Sequence, residues 1–277
     1  MKKKNSTKVS VVMPVYNCDK YVGAAIESIV HQTFQDFEFI IVDDASTDKT
    51  YSILKKYARI DPRVRLLRNR KNLQIANTLN KAVSLAKSDI IVRMDADDFS
   101  YPKRIEHQYK YLIKHSKVAV VGSNMDIMDD TGNIISKREY GTESKALKRI
   151  AFRYSPFAHP SVAFRKHIFE EFGGYDPKMV PCEDIDLWFK IGSKYEFANI
   201  PKTLIKYRLI ISSNSHKKLK ELELLGFKIK IRAIREYGYK ISPRDAVFNL
   251  VQFISLWFMT AKTRIYLYDF LRSRRII

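Results

Sequence analysis

The chain has 277 residues, of which 45% are hydrophobic and 12% aromatic, enough for a substantial core, and this argues against a disordered protein. Its 50 Lys and Arg residues against 30 Asp and Glu residues give a formal net charge of +20, which favours an anionic partner: a phosphorylated ligand, a nucleic acid or an anionic membrane surface. Two cysteines, Cys18 and Cys182, lie outside any CxxC or Cys/His cluster and argue against a zinc site or a disulfide framework.

The N-terminal residues do not form a convincing signal peptide. The basic segment KKKNSTK precedes the apolar segment VSVVMPV, which is short, is broken by Pro14 and has no small-residue cleavage site. Together with the cysteine usage, this predicts a protein of the reducing cytosol.

The first half of the chain alternates apolar runs with helical patterns. Runs rich in Val and Ile predict buried strands over residues 9–15, 37–42, 64–67, 90–94 and 118–121. Helices are predicted between them, over about 20–32, 49–59, 75–87 and 102–115. The alternation predicts an α/β fold with a mostly parallel central sheet and helices on both faces, which binds its ligand outside the carboxyl ends of the strands.

Polar segments follow three of these strands. PVYN begins at Pro14, VDDASTD contains Asp43 and Asp44, and MDADD contains Asp95 and Asp97. Because the carboxyl ends of parallel strands share one edge, these acids are expected to converge. Neither GxGxxG nor a P-loop motif is present, which argues against those two kinds of nucleotide site.

The segment MDADD crowds Asp95, Asp97 and Asp98 into four positions of a basic chain. Two carboxylates about 4 Å apart repel by roughly 4 kcal/mol at an effective dielectric constant of about 20, and a cation relieves this repulsion. Carboxylates without His or Cys suit Mg²⁺ or Mn²⁺, and Mg²⁺ completes its shell with water and substrate phosphates. The segment therefore suggests a metal that carries a diphosphate. The alternative is a solvated turn in which Asp98 or Ser100 caps the next helix.

Two further acidic segments have two interpretations each. Asp43 and Asp44 could accept an N–H of a base or a hydroxyl of a ribose, while Ser46 or Thr47 could cap the following helix. In CEDIDLWFKIGSKY, a carboxylate of the ED pair could act as a general base on a hydroxyl. Alternatively, these acids only complement the dipole of the helix that they begin.

The second half of the chain has a different pattern. A hairpin is predicted with its turn at 130–133, a helix over about 143–152, and then a strand, a short helix and a Gly-Gly turn in HPSVAFRKHIFEEFGGYDP. From Lys217 to the end the chain has 14 basic and 5 acidic residues. Residues 246–261 lack charge, but these 16 residues are fewer than the roughly 20 that span a bilayer. Because Asn249, Gln252 and Ser255 form a polar stripe, the tail predicts an amphipathic helix that packs on the domain or lies in a membrane interface.

The ordered motifs resemble family 2 glycosyltransferases. The segments that carry the resemblance are VSVVMPVYNCDKYVGAAIESIVHQTFQDFEFIIVDDASTDKT, IIVRMDADDFSYPKRIEHQ, HPSVAFRKHIFEEFGGYD and CEDIDLWFKI, within about residues 7–208. The resemblance implies a GT-A domain over 1–215, with a nucleotide-sugar half over about 7–122 and an acceptor half over 123–215, before a basic helical tail over 216–277. It implies an inverting transferase that uses a nucleotide sugar.

From the resemblance we expect a UDP-linked hexose or N-acetylhexosamine as donor. The expected acceptor is a hydroxyl of a glycan or a lipid-linked acceptor in the synthesis of cell-surface polysaccharide or glycoconjugates. The expected location is the cytoplasm, with the tail either packed on the domain or attached to the cytoplasmic face of the membrane through anionic lipid.

The family motifs also imply roles on the donor side. Pro14 and Tyr16 would flank the base, and Asp44 would accept a base N–H with Asp43 beside it. Asp95 would lie near the ribose and the metal.

On the metal and acceptor side, Asp97 would be the main protein ligand of Mn²⁺ or Mg²⁺, supported by Asp95. Asp184 would be the catalytic base and Glu183 its neighbour in the substrate site, with Asp186 as an alternative base. An inverting transfer needs the base on the side of the sugar opposite the leaving group, so a base from a separate segment meets that requirement.

The chain departs from the family pattern at two places. Gln74 stands about where many relatives have Gly, which puts a close backbone approach to the donor in doubt. Many relatives have Tyr-Arg-x-His after the acceptor half, whereas the chain reads YRLI from Tyr207, and His216 comes six residues too late to replace the missing His. His159 could line the acceptor site or simply pack.

Two other functions remain open from sequence. A sugar-nucleotide pyrophosphorylase would share the sheet and the Mg²⁺, but would typically have a Gly-rich basic loop after the first strand, which PVYNCDKY lacks. The net charge allows a nucleic-acid-binding protein, but no helix-turn-helix, zinc or RNP-type motif accompanies it.

Overall fold

The computed structural model describes residues 7–210, 215–260, 263–264 and 266–267. Their strands are β1 (Val9–Val15), β2 (Phe37–Asp43), β3 (Val64–Arg68), β4 (Ile90–Arg93), β5 (Phe99–Ser100), β6 (Val118–Met128), β7 (Ile134–Arg138), β8 (Ala163–Arg165) and β9 (Glu196–Arg208). Their α-helices are α1 (Val22–Val30), α2 (Thr50–Ile60), α3 (Gln74–Ser84), α4 (Arg104–Lys114), α5 (Ser144–Ile150), α6 (Lys166–Glu171), α7 (Glu183–Gly192), α8 (Ser215–Glu236) and α9 (Pro243–Phe258).

These strands form one sheet in the order β3-β2-β1-β4-β8-β6-β9-β5, with β7 paired to β6. The strands from β1 to β4 pair in parallel, as the sequence predicts. Beyond β4 the sheet is mixed, because β8 runs antiparallel to both β4 and β6, and β9 runs parallel to β6. The α/β class is thus confirmed, while the parallel arrangement is confined to the first four strands and to the β6–β9 pair.

The strand register brings the three polar segments to one edge. Val15 pairs with Asp43, the last residue of β2, and Val12 pairs with Arg93, the last residue of β4. The segments that follow β1, β2 and β4 therefore leave the sheet side by side. This is the arrangement that the parallel pattern predicts.

Both faces of the sheet are covered. Every residue of β2 is buried, so its side chains on both faces pack against other parts of the protein, as expected for a strand inside a parallel sheet. Val11 of β1 packs in one hydrophobic cluster with Ile26 of α1. The next residue, Val12, belongs to a second cluster with Leu79 of α3. Successive residues of a strand point to opposite faces of the sheet. Helices thus bury apolar side chains from both faces.

No hydrophobic pattern predicts β9, the longest strand. Its sequence EFANIPKTLIKYR contains Pro201 and does not alternate between apolar and polar residues. It forms because it pairs along β6 and, at its end, with β5, where Ser100 pairs with Ile205. This pairing places Arg208, the last residue of β9, beside Asp97 and Asp98 of the segment that follows β4.

The predicted helical tail is confirmed within the described residues, where it comprises α8 and α9; residues 268–277 of that prediction lie outside them. The tail is tied to the rest of the chain by an ion pair of Arg153 with Asp245 at 2.5 Å and by a hydrogen bond from Asn249 Nδ2 to the Phe152 carbonyl at 2.9 Å. Among the described helices, none combines the length and the apolar character needed to cross a bilayer.

Candidate active site

Three carboxylates form a cluster directly after β4. Ligand oxygens of Asp95, Asp97 and Asp98 all lie within 4.8 Å of one another. Burial, and then the charge of Asp95, raises the pKa of Asp97 to about 6, and the same two causes raise the pKa of Asp98 well above its usual value. The buried Oδ2 of Asp98 has no hydrogen-bond partner among the residues that the structure describes. Such a donor set fits a hard divalent cation, because a cation relieves both the mutual repulsion and the missing contact.

Asp98 does not cap the following helix. Its Oδ1 accepts the backbone N–H of Arg208 at 2.8 Å, and α4 begins at Arg104 without a side-chain cap. Ser100 belongs to β5, where its hydroxyl accepts a hydrogen bond from Gln32. The interpretation of these residues as caps is therefore wrong, and Asp98 instead joins the end of β9 to the acid cluster.

Arg208 fixes the loop that carries the acids. Its Nε donates to the Asp97 carbonyl at 2.9 Å, and its Nη1 donates to the carbonyls of Asp129 and Asp130 at 2.9 and 3.0 Å. The guanidinium also stacks 4.4 Å from the centre of the Tyr21 ring. This arginine is the Arg of the sequence YRLI, and its contacts give that motif a positioning role. The side chain of His216 lies outside the described residues.

Arg93 is a buried cation of the site. Its Nη1 lies 2.5 Å from Asp95 Oδ2, and only 1% of the residue is exposed. Burial raises the pKa of four acids around it, and the charge of Arg93 opposes the rise in each; the four are Asp97, Asp98, Glu183 and Asp184. The charge of one guanidinium therefore acts on acids from two distant segments of the chain. Sequence reasoning missed this residue, although a charge inside the apolar run IIVRM is the signal for it.

The acid pair of the second segment begins α7. Glu183 is buried, and burial followed by the charge of Asp184 raises its pKa to about 7. Asp184 is partly exposed, and burial raises its pKa to about 6. Asp186 is fully buried and pairs with Lys190 at 2.6 Å and with Arg232 at 3.3 Å. Asp184 differs from Asp186 in two ways. Its side chain is partly exposed, and none of the ion pairs among the described residues includes it.

His159 packs beside this segment. Its Nε2 lies 2.9 Å from the Tyr175 hydroxyl, and its ring meets Trp188 edge to face at 6.1 Å. Burial, and then the charge of Arg93, lowers the pKa of His159 well below its usual value. The imidazole is therefore neutral at physiological pH, as suits a packed side chain.

The ends of β1 and β2 form the adjoining part of the edge. Tyr16 is 50% exposed and Pro14 is half-buried beside it. Asp44 Oδ1 accepts two hydrogen bonds, from Asn69 Nδ2 at 2.7 Å and from the Leu73 N–H at 2.8 Å. An exposed ring and a fixed carboxylate thus lie next to each other at the strand ends.

Asp43 has no exposed surface, and its Oδ2 pairs with Arg68 Nε at 3.0 Å. Its Oδ1 accepts the N–H of Ser46 at 3.4 Å, so Asp43 supports the loop. The predicted caps at Ser46 and Thr47 are wrong. The Ser46 hydroxyl accepts the N–H of Asn17, and the N–H of Thr47 donates to the Asn17 side chain, so both residues join two loops.

Gln74 occupies the position at which glycine is expected, and its backbone has φ = +66°. This left-handed conformation favours glycine and costs an L-residue about 1 kcal/mol or more. Asn72 Oδ1 accepts the Gln74 N–H at 2.9 Å and helps hold this conformation. The left-handed backbone conformation that favours glycine is therefore present at this position although the residue is Gln74.

Comparisons with known proteins agree with this geometry. Over residues 10–173 the chain matches the family described as "Glycosyl transferase family 2". It is 33% identical over 228 residues to the O-antigen biosynthesis glycosyltransferase WbnJ of Escherichia coli, which covers 80% of this chain and 87% of that protein. The chain therefore belongs to glycosyltransferase family 2.

Two solved structures have a similar fold. Residues 1–349 of S. aureus TarS in complex with UDP-GlcNAc give a TM-score of 0.67 at 20% identity, covering 83% of this chain and 68% of that one. The mannosyltransferase PcManGT from Pyrobaculum calidifontis in complex with GDP-Man and Mn²⁺ gives 0.63 at 21% identity, covering 90% and 69%. The chain thus has the GT-A fold of these glycosyltransferases, as the sequence motifs imply.

Proposed function

We propose that this protein is an inverting, metal-dependent glycosyltransferase that moves a hexose or N-acetylhexosamine from a UDP-sugar to a hydroxyl of a glycan or lipid-linked acceptor. The observation that carries the proposal is the cluster of Asp95, Asp97 and Asp98 at the carboxyl end of β4, whose ligand oxygens lie within 4.8 Å of one another; the acid pair that begins α7 comes from a separate segment. One set can hold a diphosphate through a cation, and the other can take a proton. The UDP-GlcNAc complex of TarS and the role of WbnJ in O-antigen biosynthesis support a UDP-sugar and a cell-surface glycan.

On the donor side, the exposed ring of Tyr16 and the neighbouring Pro14 would flank the base. Since the two donors to Asp44 within the described part of the chain both use Oδ1, we assign its Oδ2 to a base N–H. Asp43 has no exposed surface, so we assign it the support of Asp44 rather than a direct contact.

We assign Asp97 as the main ligand of Mn²⁺ or Mg²⁺ and Asp95 as the residue between ribose and metal. The cation, when bound, would offset the negative charge that grows on the leaving diphosphate. The Mn²⁺ in the PcManGT complex supports a cation of this class. Arg93 pairs with the carboxylate of Asp95, and Arg208 donates to the backbone carbonyl of Asp97, so the two arginines hold the assigned residues in position.

On the acceptor side, the oxygen of the acceptor hydroxyl would attack the anomeric carbon as the bond from that carbon to the diphosphate oxygen breaks. Asp184 would take the hydroxyl proton, and a nucleoside diphosphate would leave. The raised pKa of Asp184, about 6 through burial, suits a group that must be ionised near neutral pH and still accept a proton. Glu183 would act as its neighbour in the substrate site.

We propose the domain limits that the motifs imply: a nucleotide-sugar half over 7–122, an acceptor half over 123–215 and a tail over 216–277. We further propose a cytoplasmic enzyme whose tail rests on the cytoplasmic face of the membrane. The support for this attachment is the exposed apolar face of α9, on which Trp257 is 61% and Phe258 84% exposed.

A donor panel tests the function. The purified protein is mixed with Mn²⁺ and a set of UDP- and GDP-sugars, and release of nucleoside diphosphate is measured. We expect slow hydrolysis of one UDP-sugar and a higher melting temperature with UDP plus Mn²⁺ than with either alone. No donor turned over and no shift with UDP plus Mn²⁺ would refute the proposal. Release of pyrophosphate instead would identify a pyrophosphorylase.

A further inference from the structure

An apolar cavity of about 440 Å³ lies between the beginning of α7 and the two tail helices. Its wall includes Cys182 and Ile185 from the α7 segment, Gly226 from α8, and Phe248 and Val251 from α9. Small-molecule pockets typically measure about 300–1,000 Å³, so this volume can hold a ligand. Since most of the wall is hydrocarbon, the chemistry favours a ligand with an apolar chain.

The cavity adjoins the acid pair of the proposed active site. Cys182 and Ile185 line it, and the two residues between them are Glu183 and Asp184. Burial, and then the charges of Asp184 and Glu183, raises the pKa of the Cys182 thiol to about 12, which reflects this proximity. A hydrocarbon chain of a ligand held in the cavity would therefore have its end close to the first turn of α7.

The other side of the cavity continues into the exposed apolar face of α9. This face, with residues spaced as on one side of a helix, comprises Val247, Leu250, Val251, Ile254, Trp257 and Phe258, which are 46–84% exposed. Val251 belongs to both the face and the cavity wall. The opposite side of α9 is held to the protein through Asp245 and Asn249, so the apolar face is directed away from that attachment.

Cations accompany this apolar surface. Lys230 lines the cavity and donates to Asn249 Oδ1 at 2.8 Å, and Lys220 lies 3.7 Å above the ring of Trp257. Basic groups beside apolar and aromatic side chains suit a lipid with an anionic headgroup.

We propose that this cavity binds the hydrocarbon chain of a lipid-linked acceptor, drawn from the bilayer on which the α9 face rests, and so presents the acceptor hydroxyl to Asp184. The inference depends on the proposed function, and it narrows the acceptor class from a glycan or a lipid-linked sugar to the lipid-linked one. It also gives the tail a part in substrate binding.

Gly226 allows a direct test, because a Cβ built there meets no atom of the described residues within 4 Å. Gly226→Phe would fill the cavity, and Gly226→Ala is the matched control, since it gains helix propensity without filling the space. Full-length wild type and both variants are titrated with the fluorescent fatty acid cis-parinaric acid, and farnesyl monophosphate is used to displace it. We expect wild type and Gly226→Ala to bind within twofold of each other and Gly226→Phe at least tenfold more weakly.

Ser255→Phe would fill the same cavity from the wall that α9 forms, and it should weaken binding of cis-parinaric acid to a similar extent. Circular dichroism checks that each variant folds. Equal affinity in all four proteins, or no binding by wild type up to the solubility of the probe, would overturn the proposal. So would binding that appears only in a chain ending at residue 267, because the protein's own C-terminal residues would then be the occupant.

The same proteins are titrated with UDP and Mn²⁺ to distinguish failure of the acceptor inference from failure of the proposed function. Wild type that binds UDP but not the probe would overturn only the acceptor inference. Wild type that binds neither UDP nor any nucleotide sugar would overturn the proposed function. Gly226→Phe should bind UDP within twofold of wild type.

Discussion

The strand-edge site and the tail depart from an ordinary folded protein in opposite ways. At the strand edge, charged groups are buried, with Arg93 only 1% and Asp98 only 2% exposed. On the tail, large apolar groups are exposed, with Trp257 at 61% and Phe258 at 84%. Burying a charge and exposing an apolar patch both cost free energy, so stability alone explains neither. Under the two proposals above, each region instead serves a ligand, one an anionic diphosphate held through a cation and the other an apolar chain.

The two regions meet at the beginning of α7. Asp184 and Glu183 are within the influence of Arg93, whereas Cys182 and Ile185 line the apolar cavity. A single helix turn therefore has acids on which the charges of Arg93 and Asp95 act and apolar side chains that line the cavity beside the tail. The following changes alter one region and leave the other intact.

The largest effect is expected from Asp97→Asn. Loss of the main cation ligand should lower transfer at least about 1,000-fold, or roughly 4 kcal/mol of transition-state stabilisation, and abolish the Mn²⁺ dependence of UDP binding. Initial rates and calorimetric titration with UDP measure both. The matched control is Asp36→Asn, whose exposed carboxylate pairs with Lys8 at 3.5 Å, and this variant should behave as wild type. Full activity in Asp97→Asn would contradict the metal assignment.

Arg93→Met should reduce the free energy of unfolding by about 3–5 kcal/mol, because it leaves the carboxylate of Asp95 without its buried partner. Urea denaturation followed by circular dichroism measures the loss. Arg59→Met, which removes an exposed arginine of α2, is the control and should change stability by less than about 0.5 kcal/mol. An unfolding free energy of Arg93→Met equal to that of wild type would contradict the role of Arg93 as the buried partner of Asp95.

The tail is altered by the double variant Ile254→Ser and Trp257→Ser. Removing two exposed apolar side chains from the α9 face should weaken binding to vesicles containing phosphatidylglycerol at least tenfold, since each buried side chain of this kind is worth up to about 1.5–3 kcal/mol. UDP binding should not change. The control Ile60→Ser removes an apolar residue that is 77% exposed on α2. Equal pelleting with vesicles by all three proteins would contradict membrane attachment.

A smaller effect is expected from pH. Burial raises the pKa of Asp184 to about 6, and a base acts only when ionised, so transfer should decline about tenfold per pH unit below that value and level off above it. Rates at saturating donor between pH 4.5 and 8.5 measure the profile, with UDP binding followed at each pH. A rate that rises as the pH falls through 6 would contradict the assignment.

The sequence predicts much of the strand edge because local patterns determine it. Apolar runs ending in PVYN, VDDASTD and MDADD specify parallel strands and the side on which their acids meet. The roles of Arg93 and Arg208 depend on long-range contacts instead. Arg208 meets Asp98 across 110 positions of the chain, through a strand that no periodicity predicts.

The exposure of the apolar residues of the tail also depends on long-range contacts. The apolar residues of α9 can be read from the sequence, but periodicity alone does not say whether they are buried or exposed. The answer depends on which side of the helix carries Asp245 and Asn249, and their partners Arg153 and Phe152 come from a segment more than 90 positions earlier. Exposure is thus a tertiary property, and so is the cavity beneath the helix.

The most direct test of the account compares Asp184→Asn with Asp186→Asn, two substitutions on the same helix turn. Transfer and UDP–Mn²⁺ affinity are measured for both. We predict that Asp184→Asn lowers transfer about 100- to 10,000-fold with UDP affinity within twofold of wild type, as expected for loss of a general base. Asp186→Asn should lose stability with its Lys190 and Arg232 pairs but keep transfer within tenfold at low temperature. Full transfer by Asp184→Asn, or its loss in Asp186→Asn alone, would contradict the account.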